Sequence, residues 1–344
     1  MSGIAGVLNS RAECPGEWDK APGFTAGKGE IYMDTKKVIK YTAITLLLAW
    51  AIQIAVAVIG NNIGGTAGTM LFRGGLAVCM FTPLIAAIIS KADLKGMGWK
   101  PKFKGNLKWI VFALLVPVTL TILGFVLFFA IWPELFSLDG SYLLKTVEEM
   151  GMDPAEYKAA LEQTGMSMSG LTLISIIPCV TYAPFMNMFL AIGEEAGWRG
   201  FLYPELNKKF GKVTTWLIGG VAWAVFHFPA MLLAGYEYGT DYIGAPVLGL
   251  VVFTLFCISM GVIHGIIYDK TKCIWFPALL HGSVNAGVTL YQMVLNGERI
   301  DDINRHLIFG PAYNGLVSMI PVVILAVVMA VIVLKDRKKR RLVN

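Results

Sequence analysis

The 344-residue chain is 56% hydrophobic and only 15% charged, with a mean hydropathy of +0.63. That balance excludes an ordinary soluble domain and points to an all-α polytopic membrane helix bundle, in which each helix satisfies its own backbone polar groups inside hydrocarbon. The net charge of +6 reads as orientation and contact with anionic lipid headgroups, with no nucleic-acid partner.

Eight apolar stretches are long enough to cross a hydrocarbon core of about 30 Å as helices: 38–60, 72–90, 109–132, 171–193, 213–234, 245–268, 274–295 and 313–334. With the N-terminus cytoplasmic, all but five of the 29 Lys and Arg fall on the cytoplasmic side, the exceptions being Arg73, Lys145, Lys158, Arg299 and Arg305. An even number of spans with both termini cytoplasmic satisfies the positive-inside rule and predicts a multi-pass protein of the cell membrane. Three regions follow: a Gly-rich, polar N-terminal segment 1–37, poorly ordered and without the apolar core of a signal peptide; a transmembrane domain 38–334; and a basic cytoplasmic tail 335–344. Five scattered cysteines define neither a disulfide framework nor a thiolate metal site.

The first span carries Gln53 as its one strongly polar residue, read as an interhelical hydrogen bond. Pro83 and Pro117 are kinks that membrane helices tolerate, and the Lys91–Lys108 loop between their spans is a solvated basic loop. In the external segment 133–170, Asp153, Pro154 and Glu156 predict a short surface helix stopped at Gly165.

The fourth span leads into Gly193-Glu194-Glu195-Ala196-Gly197-Trp198-Arg199, two carboxylates and a guanidinium at the end of an apolar run. Charge held there is expensive and marks a functional site. On a helix, Glu195 and Arg199 are four residues apart with the acid N-terminal, the better orientation for an ion pair. Glu194 projects about 100° away, unpaired and free to act as a base. Asn187, seven residues earlier, extends a polar stripe.

In the fifth span His227 precedes Pro229, which cannot donate to the Val225 carbonyl and so opens the helix beside the histidine. His264, in the sixth span near Asp269, reads as a residue of the cytoplasmic edge. In the seventh, the spacing of His281 and Asn285 puts them on one face, and Gly282 lets a neighbouring helix approach. Counted from the expected inner ends, His281 lies about 10 Å deep and His227 about 21 Å, a mismatch that a late-starting span or an inward-displaced helix explains.

One free carboxylate and two imidazoles can hold a divalent metal that activates water, or can orient and deprotonate water directly while His281 and Asn285 stabilise an oxyanion. Both routes lead to peptide hydrolysis. Intramembrane acids and histidines also occur in ion-coupled carriers, and a non-catalytic immunity or scaffold protein is a third class. The spans lack the Gly-x-Ser-Gly stretch of a serine site and the paired Asp of an aspartyl site, and His-Glu-x-x-His is absent.

Glu194-Glu195-x-x-x-Arg199, His227 in an aromatic-rich helix, and His281-x-x-x-Asn285 together resemble the motifs of the CPBP intramembrane proteases, which include the type II CAAX prenyl endopeptidases and Abi-type immunity relatives. The resemblance covers about 170–295. It implies that Glu194 activates water, that His227 helps hold the water or a metal such as zinc on Glu194, His227 and His281, and that His281 with Asn285 stabilises the oxyanion. Glu195 and Arg199 take supporting roles, and the implied partner is a peptide or protein substrate, lipidated in the best-known relatives. Trp223 stands where the family commonly has Phe, four residues before the second-motif histidine.

Overall fold

A computed structural model describes residues 32–149 and 151–343; the expected N-terminal segment therefore lies, up to residue 31, outside the described residues. The protein is 78% helical, with no strand among the described residues, as a chain that must close its hydrogen bonds inside hydrocarbon requires. Asp34 caps the first helix by accepting from Lys37 N at 3.0 Å. This helix, α1 (Thr35–Ile63), ends at Gly64 and Gly65, whose φ of 68° and 55° make the left-handed turn into α2 (Gly65–Cys79). Gly60 and Gly68 face each other across that hairpin with no room for a side chain, since a Cβ on Gly68 would lie 2.2 Å from Gly60 O.

The chain continues through α3 (Thr82–Ile89) and α4 (Leu107–Ile131), which contains Pro117. The external segment folds as α5 (Ser141–Glu149), α6 (Pro154–Gln163), α7 (Met168–Ile174) and α8 (Ile176–Val180). Asp153 caps α6 at Ala155 N (2.8 Å), and Gly165 at φ 74° follows its end, as the sequence signals predict. After α9 (Ala183–Gly197) comes a π turn (Trp198–Leu202), then α10 (Tyr203–Ala234), α11 (Val247–Thr271), α12 (Trp275–Gly287), α13 (Ile300–His306) and α14 (Ile320–Val343).

The membrane-helix class holds, whereas the expected count of eight spans is not confirmed. Five helical stretches are long and apolar enough to cross a membrane (Thr35–Ile63, Gly65–Ile89, Leu107–Ile131, Ala183–Ala234 and Val247–Thr271), or six if the bent pair Pro154–Gln163 and Met168–Val180 is one span. Ala183–Ala234 contains two expected passes without an intervening loop. At Gly211 (φ 73°, ψ 178°) the chain doubles back, so that Tyr203 packs on Gly219 and Trp223 reaches Glu194. The expected span 274–295 contracts to α12, a short, largely buried helix, and the expected span 313–334 becomes helical only at Ile320.

Candidate functional site

Close helix contacts build the site before any polar group is considered. A Cβ on Gly282 would stand 2.4 Å from Pro184 O, so α12 rests on the backbone of α9. On another side of α9, a Cβ on Gly193 would meet Met80 O at 2.6 Å and one on Gly197 would meet Pro83 Cβ at 2.3 Å. These contacts fix α9 between the α2–α3 junction and α12, with Glu194 and Glu195 buried at 2% and 0% exposure.

The two acids then separate by partner. Glu195 Oε1 accepts from Arg199 Nη1 at 2.8 Å and from His281 Nδ1 at 2.9 Å. Using Nδ1 for the carboxylate leaves Nε2 as the remaining nitrogen of His281. Arg199 is fully buried, and its guanidinium lies over the Trp223 ring at 4.4 Å and the Tyr203 ring at 5.1 Å. The spacing-based Glu195–Arg199 pair is present, but on a buried turn instead of the cytoplasmic edge, and the π turn that begins at Trp198 is the kind of helical bulge that recurs at functional sites.

Glu194 forms no ion pair among the described residues. Its Oε2 accepts from two indoles, Trp223 Nε1 at 2.7 Å and Trp198 Nε1 at 3.2 Å. His227 donates from Nδ1 to the Trp223 carbonyl at 2.9 Å, which leaves Nε2 free, and its ring stacks on Tyr236 at 6.2 Å between the edges of Phe226 and Phe253. Glu194 and His227 lie almost equally far along the chain from the Gly211 turn, which brings those two to a similar depth; the expected mismatch between His227 and His281 is not removed by moving the inner end to that turn. Asn285 is half-buried one turn beyond His281. Asn187 stays out of the cluster and donates to its own helix at Ala183 O (3.0 Å).

The opening at Pro229 is filled from α1. Trp50 Nε1 donates to the orphaned Val225 carbonyl at 3.0 Å. Gln53, fully buried, donates to Phe226 O at 2.7 Å and accepts from Ala230 N at 3.0 Å, inserting its amide into the helix next to His227. The expected interhelical bond of Gln53 thus supports the backbone that carries a candidate catalytic histidine.

His264 is the residue that sequence reasoning missed. It is fully buried, donates from Nδ1 to Met260 O at 2.8 Å, and its ring meets those of His281 (5.8 Å) and Trp223 (5.6 Å). The available signal was chain symmetry: His264 and His281 are nearly equidistant from the turn at Lys272 that joins α11 to α12. Asp269, five residues on from His264, pairs with Lys212 and Lys272.

Among the described residues, the group whose donor atoms lie within 4.8 Å of one another is Glu195, His264 and His281, a possible metal-binding triad, and not Glu194, His227 and His281. The local chemistry fits a dication poorly. Glu195 Oε2 and His264 Nε2 are buried without a hydrogen-bond partner among the described residues, but a metal there would adjoin the Arg199 guanidinium that already pairs with Glu195 Oε1.

Fold and site together describe a membrane helix bundle around a buried cluster of Glu194, Glu195, Arg199, His264 and His281, with His227 and Asn285 half-buried. A family model described as Rce1-like, type II CAAX prenyl endopeptidase Rce1-like, matches residues 176–287, from the start of α8 to the end of α12. The matched segment holds every site residue named above apart from the α1 supports, and it supports the resemblance to the CPBP proteases; at family level it indicates a CAAX-type endopeptidase of membranes. No curated protein matches the chain.

Proposed function

We propose that this protein is an intramembrane endopeptidase that hydrolyses a peptide bond in an apolar, membrane-associated or lipidated substrate by glutamate-activated water. The observation that carries this reading is the unequal use of two adjacent buried acids. Glu195 is committed to Arg199 and His281, while Glu194 is held through one oxygen by neutral donors and keeps the other for a proton. In the proposed step Glu194 takes a proton from water, and the oxygen adds to the scissile carbonyl. Collapse of the adduct breaks the C–N bond, and the proton passes from Glu194 to the leaving amine.

His227, with Nε2 free, accepts from the same water and orients it. His281 and Asn285 donate to the oxyanion. Donation from Nε2 requires His281 to carry both ring protons, with Nδ1 still donating to Glu195. No step is routed through a metal, because Arg199 already occupies the electrostatic role of a cation next to Glu195. The substrate enters from the cytoplasmic side, where both termini lie; the distribution of Lys and Arg supports that orientation.

The test is cleavage of fluorogenic peptides, prenylated and unmodified, by the protein in detergent or proteoliposomes. Glu194→Gln keeps the shape and removes the base, and is expected to lower kcat by about 10²–10⁴-fold with an unchanged unfolding midpoint. A fully active Glu194→Gln protein overturns the proposal.

A further inference from the structure

Trp223 occupies the position where the resembling family commonly has Phe, and the difference is an N–H group. The indole lies at the centre of the cluster. It is 5% exposed, donates to Glu194 Oε2 at 2.7 Å, carries Arg199 on its face at 4.4 Å, and packs its ring against His281 at 5.4 Å and His264 at 5.6 Å. Its backbone carbonyl accepts from His227 Nδ1. One residue therefore touches both members of the proposed water-activating pair, the acid through its side chain and the histidine through its main chain.

Trp198 donates to the same Glu194 oxygen, but it stands four residues away on the same helical stretch and its bond is longer, at 3.2 Å. Trp223 reaches over from α10, so its N–H fixes the acid relative to the helix that carries His227. A Phe at this position would keep an aromatic face for Arg199 but could not donate.

We infer that Trp223 is a positioning residue for Glu194: its indole N–H pins Oε2, so that Oε1 is the oxygen turned to the attacking water and the acid keeps one rotamer through the cycle. This inference rests on the proposed role of Glu194 as the base. It concerns orientation, so its signature is a loss in kcat with KM little changed, where a packing role would lower stability without that split.

Two measurements test it. The first replaces Trp223 with β-(3-benzothienyl)alanine, which keeps the bicyclic shape and has sulfur where the N–H was, beside Trp223→Phe. A hydrogen bond to a buried carboxylate is worth about 1.5–3 kcal/mol, so kcat is expected to fall about 10- to 100-fold in both variants at nearly constant KM. A benzothienyl protein as active as the parent overturns the inference, since packing alone would then suffice.

The second measurement reads the bond without turnover. In protein carrying ¹⁵N-labelled Trp, the indole resonance that disappears in Trp223→Phe is expected to move upfield by several tenths of a ppm in its proton dimension in Glu194→Gln, where the acceptor loses its charge. An unmoved resonance overturns the inference. An active Glu194→Gln protein whose indole resonance has moved would retain the bond and remove the base, which separates failure of the proposed function from failure of the positioning contact; the positioning role falls with the base in that case.

Discussion

Gln53→Leu is a change in α1, outside the segment that the family model matches, with consequences for His227. Leu approximates the shape of Gln but neither donates nor accepts. It leaves Phe226 O and Ala230 N without the partners they have at 2.7 and 3.0 Å, at a fully buried position. A buried backbone group left unpaired costs about 1–3 kcal/mol, so two give about 2–6 kcal/mol if the helix holds its shape. The two released groups are also each other's natural partners in an unbroken helix. If they close on each other, part of that cost is recovered, but the stretch carrying His227 shifts toward α10's axis and turnover falls instead. Trp50→Phe frees the Val225 carbonyl alone and is expected to cost about 1 kcal/mol. The assay is a tryptophan-fluorescence unfolding curve in mixed detergent run beside peptide cleavage by the same preparations. A Gln53→Leu protein with the parent's midpoint and the parent's kcat would refute the reasoning.

Other outcomes follow from single contacts. Gly282→Val places side-chain carbon against Pro184 O and the Met188 amide, and is expected to separate α12 from α9 at a cost of about 1–3 kcal/mol or more, read as a lower unfolding midpoint together with loss of cleavage. Glu237, in the turn after α10, has its carboxyl pushed up by burial to about 7, with hydrogen bonds from Asn314 and Tyr236 pulling the other way. Between the ordinary glutamate range and that value the folded chain keeps a proton that the unfolded chain has lost. Stability therefore falls as pH rises through about 5 to 7, by at most about 3 kcal/mol and less for its partial exposure, and Glu237→Gln is expected to flatten that slope in unfolding curves taken across the window. Exhaustive chelation is expected to leave cleavage unchanged, and elemental analysis of purified protein to find no stoichiometric metal. A stoichiometric ion lost in Glu195→Gln, His264→Ala and His281→Ala would reverse the conclusion drawn from Arg199.

What could be read from the sequence followed the range of the interaction. The Glu195–Arg199 pair depends on four-residue spacing alone, and Asp153 and Gly165 depend on local capping rules, so these were legible. The close approach permitted by Gly282 was legible as a possibility, but its partner, the Pro184–Met188 backbone, was not. The acceptor of the Trp223 N–H lies 29 positions away across a turn that hydropathy does not mark. Gly211 sits in a stretch of Lys and Phe that reads as an interface segment, so the inner end of the fourth span was taken at Glu194 and that acid was placed too shallow. His264 was missed for a related reason: its nearness in sequence to Asp269 suggested solvent, while the residues that surround its ring, Trp223 and His281, lie on other helices and carry no local signal.

The π turn between Trp198 and Leu202 has a consequence for the design of the helix that holds both acids. A five-residue hydrogen-bonded turn takes up one residue more than an α-helical one, and each residue is worth about 100° of rotation. The stretch before it, bearing Glu194 and Glu195, and the stretch after it, bearing Tyr203 to Phe210, are therefore indexed separately, like two cams on one shaft. A one-residue deletion at Phe201 or Leu202 would then rotate Tyr203, which carries Arg199 on its ring and packs on Gly219, relative to the two acids, although neither acid nor either of their partners Trp198 and Arg199 had been changed.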